Sequence, residues 1–323
     1  LKCPMMGITI SMDNGGGYMA GVALVLEGGG FRDMFTAGVT DVLMEHGIYG
    51  FSAVWGVSAG AMNAATYKSR QIGRAMRIML AYRDDPRCMS WWSYVKTGNI
   101  AAEDFLYDKV QNELDPFDNE TFKDNPMRMY CVASDAIFGT PAYLEVKELP
   151  EDIEAIRASS SLPLFSHTVK VRGHEMLDGG TTDSIPFAAA LGEKELPYIE
   201  DFKPAEKVLV VLTRDRGYVK GLGNEGLVLR SHRYDDYPYF IKALEDRRYM
   251  YNGEREDLWR REKEGSCLVI APPEPVDVGV NESDGGKLLD LYIEGRQEAI
   301  RHLDEICAFV PESTWQPAHP GRF

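Results

Sequence analysis

Phe51-Ser52-Ala53-Val54-Trp55-Gly56-Val57-Ser58-Ala59-Gly60-Ala61-Met62-Asn63-Ala64-Ala65-Thr66-Tyr67 decides the reading of this chain. The apolar run from Phe51 to Val57 has the length and composition of a strand, and the small-residue run from Ala59 to Tyr67 that of a helix. Between them lies Gly56-Val57-Ser58-Ala59-Gly60. A bare G-x-S-x-G pattern also arises in loops, but strand, sharp turn and helix around it define a nucleophile elbow. So tight a turn asks for residues without side chains on both sides of the serine. It also holds Ser58 in a strained backbone conformation with Oγ exposed. The helix that starts directly after Ser58 aims its first amides and positive dipole end at any anion forming there.

Working outward, Gly21 to Leu26 is a continuous apolar run, as a strand buried on both faces requires. It ends in Glu27-Gly28-Gly29-Gly30-Phe31-Arg32-Asp33, after which Met34, Phe35, Gly38, Val39, Val42 and Leu43 share one helical face. Asp33 suits the N-cap of that helix and Gly47 its C-terminal stop. Ile72 to Leu80 continue a helical stripe to about Tyr82. Such a βαβα opening predicts a three-layer α/β/α fold with a largely parallel central sheet. Farther on, the pattern predicts a helix over Glu103–Leu114 and a hairpin over Met129–Ser134 and Ala142–Val146. A short helix follows over Glu151–Ser159, then a strand pair over Thr168–Val171 and Glu175–Leu177, and a helix opened by Ile185-Pro186 through Leu191. Strands are expected at Lys207–Thr213 and Cys267–Ala271, a charged helix at Tyr234–Lys263, and two short helices near Leu288–Glu294 and Gln297–Phe309. No repeat or linker divides the chain, so it reads as a tail over 1–20, one domain over 21–310 and a C-terminal tail over 311–323.

The 323 residues suffice for a large core, and 44% hydrophobic with 26% charged residues is ordinary for a globular protein. A formal charge of −15 argues against a nucleic-acid partner and opposes adsorption to anionic lipid, leaving at most transient contact with a membrane surface. The longest apolar run, Ala20 to Leu26, is far short of a membrane span, and residues 1–17 lack the basic and apolar regions of a signal peptide. Five scattered cysteines without a C-x-x-C pair suggest neither a disulfide framework nor a zinc site. A reduced, cytoplasmic protein is the default expectation. The acidic residues form no calcium-loop pattern, and neither metal nor cofactor is called for.

Two further strings carry chemistry. Gly28-Gly29-Gly30 is a strand-to-helix turn whose amides are free to surround an oxyanion, each such donor contributing about 3 kcal/mol to a transition state. By itself the string is equally a plain flexible turn or a weak phosphate loop. Asp178-Gly179-Gly180 follows an apolar strand, so the carboxylate faces open space; alone, it reads as a turn cap.

Together these strings resemble the patatin-like phospholipase family, in particular its bacterial members. The resemblance rests on Gly28-Gly29-Gly30 with Arg32, on Gly56, Ser58 and Gly60, on the serine-rich turn Ser159-Ser160-Ser161 ending in Leu162-Pro163, and on Asp178-Gly179-Gly180 followed by Ile185-Pro186. It spans Leu24 to about Leu191. The family often has asparagine between its D-G-G and the proline, where this chain has Asp183 and Ser184. The resemblance implies a patatin-like fold and hydrolysis of lipid acyl esters, with Ser58 as nucleophile and Asp178 as its base. It further implies an oxyanion hole from the amides of Gly28, Gly29 and Gly30 with that of Ala59. Gly56, Gly60, Gly179, Gly180, Pro163 and Arg32 would support this site, Arg32 as a brace of the glycine loop or as a contact to a substrate phosphate. An aspartate of ordinary pKa near 3.9 is a poor base for a serine, so the site must raise it or compensate by preorganisation.

Other readings compete. A Ser–Asp–His triad would draw on His232, His302 or His319, but a single strand and helix precede the elbow strand, fewer than a triad hydrolase of the α/β type builds. His46 and His174 lack metal-ligand spacing. Trp91, Trp92 and Tyr94 suit core packing or a lid within 83–126. Arg247, Arg248, Arg255, Arg260, Arg261 and Lys263, interleaved with acids, read as a solvated helix surface. A thioesterase or peptidase would use the same serine, and a non-catalytic lipid-binding protein would have little use for all three motifs.

Overall fold

A computed structural model describes residues 21–85, 105–223, 225–313 and 315–316. Trp91, Trp92, Tyr94 and His319 lie outside the described residues, as does the proposed tail over 1–20.

In chain order the elements are strand β1 (Val22–Leu26), helix α1 (Asp33–Glu45), strand β2 (Phe51–Val57), helices α2 (Ala59–Lys68) and α3 (Arg74–Tyr82), and the widely wound helix α4 (Phe105–Leu114). Helix α5 (Asn119–Asp124), strands β3 (Arg128–Asp135) and β4 (Thr140–Val146), helix α6 (Ile153–Ser159), strands β5 (Val169–Val171) and β6 (His174–Asp178) and helix α7 (Phe187–Ala190) follow. The remainder is strand β7 (Lys207–Val211), helices α8 (Glu225–Arg230) and α9 (Pro238–Glu264), strand β8 (Cys267–Ile270), and helices α10 (Gly285–Arg301) and α11 (Leu303–Phe309).

All eight strands join one sheet in the order β5-β6-β3-β2-β1-β7-β8, with β4 also on β3. The pairs β1–β2, β1–β7, β2–β3 and β7–β8 are parallel, whereas β3–β4, β3–β6 and β5–β6 are antiparallel. Alternate residues of each central strand serve opposite layers, as the two-residue period demands. Leu24, Val54, Met129 and Leu209 pack beneath α1, α2, α6 and α10 with Phe35, Ala61, Ile156 and Leu288. Val25, Trp55, Tyr130 and Val210 face the other way, against Phe187 of α7 and Tyr251 and Leu258 of α9. This double burial is why β1 and β7 are apolar at every interior position. The expected three-layer, mostly parallel α/β architecture is therefore observed.

Several local readings change. Asp33 is the first residue of α1 and not its cap; a helical turn over Gly30–Arg32 precedes it, and Arg32 occupies the cap position without a side-chain hydrogen bond. The stripe after the elbow is two helices, broken where Arg70 and Gly73 take positive φ of 57° and 74°. The C-terminal helices divide at His302 and not before Gln297, and α10 starts earlier than expected, where Asp284 caps it through the amides of Gly286 and Lys287. Cys131 and Cys267 are free and buried. Among the described residues, no helix is long and apolar enough to cross a membrane and no cluster of metal ligands occurs.

Candidate active site

Ser58 stands between β2 and α2 at φ 56°, ψ −126°, a region that residues with side chains avoid. Its surroundings impose that conformation. A methyl group on Gly60 would lie 2.5 Å from Leu26 O, and one on Gly56 2.5 Å from Ala61 Cα, so the crossing of strand and helix at the elbow admits glycine alone. The Ser58 amide donates to Ser159 Oγ (2.9 Å), and its carbonyl accepts from Ala61 N (2.9 Å).

Sheet register brings Asp178 to this serine. On β3, Val132 is paired with Val57, the last residue of β2, and the next residue, Ala133, is paired with Asp178, the last residue of β6. Because β4 occupies the opposite edge of β3, β6 continues the edge on which β2 stops. Asp178 and the residue after Val57 thus adjoin, although 120 positions separate them in the chain. The Asp178 amide donates to Ser161 O (2.8 Å), so the end of α6 anchors Ser58 and the turn after it anchors Asp178. Pro163 lies one residue beyond Leu162, whose carbonyl closes that turn by accepting from Phe165 N and Ser166 N.

The Asp178 carboxyl is fully buried. Oδ1 accepts from Gly180 N (2.8 Å), while Oδ2 has no partner of full hydrogen-bond geometry. Burial raises its pKa above the ordinary aspartate value; the Ser58 hydroxyl as a side-chain hydrogen-bond partner, the Gly180 amide and the positive charge of Arg247 oppose that rise. The Ser58 hydroxyl is thus the side-chain partner of this carboxyl, without a hydrogen bond of full geometry between them.

The glycine turn closes the other side. A methyl group on Gly28 would fall 2.4 Å from Val57 O and 2.9 Å from Ser58 Cβ, which measures how closely this backbone approaches the nucleophile. Gly30 takes φ 60°, and Phe31 N donates to Val280 O (3.2 Å), fixing the turn against the segment before α10. Among the described residues, the amides of Gly28 and Gly30 reach no backbone carbonyl. Gly29, grouped with them in the sequence, has its amide beside the buried Asp33 carboxyl, whose pKa that amide helps to lower against the rise caused by burial. Arg32 is half-buried beside Arg214 and Glu27, with Nε buried and unpartnered.

Ser58, Asp178, Gly180, Gly28, Gly29, Gly30 and Arg32 line one cleft of about 70 Å³. The sequence reading missed Glu27, Arg214, Tyr218, Lys220, Arg247 and Tyr251, which line it too. Arg247 and Arg255 are not part of a solvated surface: Arg247 Nε donates to Gly180 O (2.7 Å), and Arg255 is buried with Nη2 donating to Asp215 O (2.6 Å). The one available signal was position, since both recur on the α9 face that carries Leu244, Tyr251 and Leu258. Among the described residues no histidine lines the cleft. His174 pairs with Asp135, His232 with Asp235 and His302 with Glu305, and His46 Nδ1 meets Val42 O. A second cavity, of about 140 Å³, opens on the other side of Ala59, largely apolar, with Met62, Ile78, Met79, Phe117 and Ile156 on its walls.

A model of the patatin-like phospholipase family matches residues 24–191, and a model of a domain of unknown function, DUF6363, matches residues 237–311. An uncharacterised protein of Escherichia coli strain K12, YjjU, is 32% identical over 185 residues, 55% of this chain and 51% of that protein. Lysophospholipase NTE1 of the yeast Debaryomyces hansenii is 28% identical over 172 residues, 51% of this chain and 10% of that protein. The match thus spans about half of the bacterial relative and a tenth of the yeast one. Among solved structures, VipD from Legionella pneumophila aligns with a TM-score of 0.43 at 12% identity, covering 88% of this chain and 67% of that one. The type III effector ExoU aligns at 0.40 and 14% identity, covering 89% and 53%.

Proposed function

The chain belongs to the patatin-like phospholipase family, and from that premise we propose that it hydrolyses carboxylic esters of lipids through a Ser58–Asp178 dyad. Family membership supports a lipid ester hydrolase; the dyad, the donors and the steps below are our reading of the cleft. Asp178 accepts the Ser58 proton as Oγ attacks the ester carbonyl carbon. The carbonyl π pair moves onto oxygen, and the resulting oxyanion takes hydrogen bonds from the amides of Gly28 and Gly30, with Ala59 at the start of α2. Asp178 returns the proton to the departing alcohol. A water then gives its proton to Asp178, attacks the acyl-serine, and regenerates Ser58 Oγ–H as the acid leaves.

Burial supports Asp178 as a base, since a carboxylate stripped of water holds a proton more tightly than an exposed one. The apolar cavity beside Ala59 accommodates the acyl chain. We also read residues 21–310 as one unit, because β7 and β8 extend the sheet begun by β1, and α10 is joined to α1 through Tyr292–Asp41 and Arg296–Glu45 contacts.

One observation carries the proposal: Ser58, the partly unpartnered Asp178 carboxyl and the bare glycine amides converge on one cleft. The test is reaction with a fluorophosphonate probe, alongside turnover of short- and long-chain acyl esters. Wild-type labelling and turnover, both lost in Ser58→Ala, support it. Labelling without ester turnover transfers the assignment to a peptidase or thioesterase, and absence of both overturns it.

A further inference from the structure

One face of α9 meets both sides of the Ser58 cleft. Arg247, Tyr251 and Glu254 recur four and three residues apart, which places them together on the helix, between the buried Leu244 and Leu258. Arg247 Nε donates to the carbonyl of Gly180 (2.7 Å), the residue whose amide donates to Asp178 Oδ1 (2.8 Å). Glu254 Oε2 accepts from Ser184 N (3.3 Å), and Ser184 Oγ donates to the same Gly180 O (2.9 Å). Between these two grips, Tyr251 Oη donates to Oε1 of the buried Glu27 (2.5 Å), the residue that leads into Gly28. Glu27 Oε2 accepts from Thr213 N (2.6 Å), and Thr213 Oγ1 donates to Gly28 O (3.4 Å). The side chain before Gly28 and the carbonyl after it are therefore both tied down, which leaves the Gly28 N–H little freedom to turn. Burial and the neighbouring Glu27 raise the Tyr251 phenol well above its ordinary pKa, so it stays an O–H donor.

We propose that α9 is a splint that aligns the two halves of the site: Tyr251, acting through Glu27, is a positioning residue for the Gly28 amide, and Arg247, acting through Gly180, is one for Asp178. The proposal rests on the hydrolase reading above, which makes that amide an oxyanion donor and that aspartate the base. A helix keeps side chains four residues apart at a fixed separation, so holding Glu27 and Gly180 from one helix sets the spacing of two loops that lie far apart in the chain. Both oxygens of Glu27 are taken by these bonds, which makes it a strut between Thr213 and Tyr251 and not a second base. An oxyanion exists only after Oγ has attacked, so a misdirected Gly28 N–H raises the barrier and leaves binding of the planar ester alone. Glu27, Gly180 and Ser184 lie within the segment matched by the patatin-like model, whereas Arg247, Tyr251 and Glu254 lie in the 237–311 region of unknown function. That region thereby serves catalysis by alignment and supplies no reacting atom.

Tyr251→Phe removes the phenolic oxygen and keeps the ring. The full-length variant is compared with the unsubstituted enzyme, each rate being expressed per fluorophosphonate-reactive site, so that loss of folded protein does not count as loss of catalysis. On an acyl ester, kcat is expected to fall about tenfold or more while KM changes by less than about twofold. Affinity for a trifluoromethyl ketone analogue, whose carbonyl takes up Ser58 Oγ and becomes an oxyanion, is expected to weaken by a similar factor. The acid limb of the kcat/KM profile should stay in place in Tyr251→Phe and move to higher pH in Arg247→Gln, since only the arginine acts on Asp178. Glu27→Gln keeps an acceptor for Thr213 N and a polar partner for Tyr251 Oη, and is expected to retain about ten times the kcat of Glu27→Leu. An unchanged kcat per reactive site in Tyr251→Phe, ketone affinity that survives a fall in kcat, or a Glu27→Gln enzyme as slow as Glu27→Leu overturns the proposal while the unsubstituted enzyme still turns over, leaving the hydrolase reading intact. Absence of both labelling and ester turnover in the unsubstituted enzyme overturns that reading and the proposal with it.

Discussion

The hydroxyl of Ser159 accepts a hydrogen bond from the amide of Ser58 across 101 residues of sequence. The bond uses an amide at a strained backbone position, and Ser159 is itself buried at the end of α6. In Ser159→Ala the Ser58 N–H would be left unsatisfied in a confined site, at a cost of about 1–3 kcal/mol. The expected outcome is a lower midpoint of thermal unfolding together with a fall in kcat, because the elbow relaxes toward an unstrained φ. Differential scanning calorimetry and ester turnover check the two effects separately.

Replacing Asp178 by Asn keeps the shape of the side chain and removes its capacity as a base. Turnover is expected to fall by roughly 10³–10⁴, with the unfolding midpoint held or raised, since a buried carboxylate is being neutralised. Alanine at His46, His174, His232 or His302 should change kcat/KM by no more than about twofold. A loss near 10⁴ at one of them would restore a triad.

The acid limb of the pH–rate profile reports Asp178. Activity requires its ionised form, so kcat/KM on a neutral ester should rise with pH through a midpoint above the ordinary aspartate value. The charge of Arg247 holds that midpoint down, so Arg247→Gln should move the limb to higher pH. A midpoint unmoved, or shifted to lower pH, would contradict the assignment of Asp178 as base.

Asp183 and Glu254 form a buried acid pair joining the segment after β6 to α9. Asp183 Oδ2 accepts from Tyr143 Oη (2.7 Å), Glu254 Oε2 accepts from Ser184 N (3.3 Å), and each carboxyl shifts the titration of the other. Burial, and for Glu254 also the neighbouring Asp183, raises both pKa values, so the folded protein retains a proton that the unfolded chain releases. The pair therefore favours folding at low pH, and its contribution erodes as pH climbs from the ordinary carboxylate range toward the raised values. Asp183→Asn should lessen the decline of the unfolding midpoint between acid and alkaline buffer, measured by circular dichroism. A steeper decline would refute the shared proton.

A methyl group at Gly60 has no room beside Leu26 O. Gly60→Ala should displace α2 from the end of β1, destabilise the fold by about 2 kcal/mol or more, and reduce turnover at least a hundredfold. A well-folded, active Gly60→Ala protein would show that the elbow tolerates a looser crossing.

Much of this molecule was determined locally. The continuous apolar runs around Val54 and Val210, the small residues on either side of Ser58 and the bare amides at Gly28 and Gly30 follow from short stretches whose sterics admit few conformations. Hence the strand–elbow–helix unit, the mostly parallel layered sheet and the three motifs that line the cleft were legible in the sequence. What lies across chain distance was not. The adjacency of Asp178 to Ser58 depends on β6 taking up the edge of β3 one rung beyond the end of β2, a register that no local pattern specifies. The removal of Arg247 from the solvated face of α9, its bond to Gly180 O and its place with Lys220 and Arg214 around the nucleophile likewise arise from how α9 lies across the sheet. Charge written along a helix gives its sequence neighbours, whereas the energy of a buried cation is set by the groups that packing brings to it.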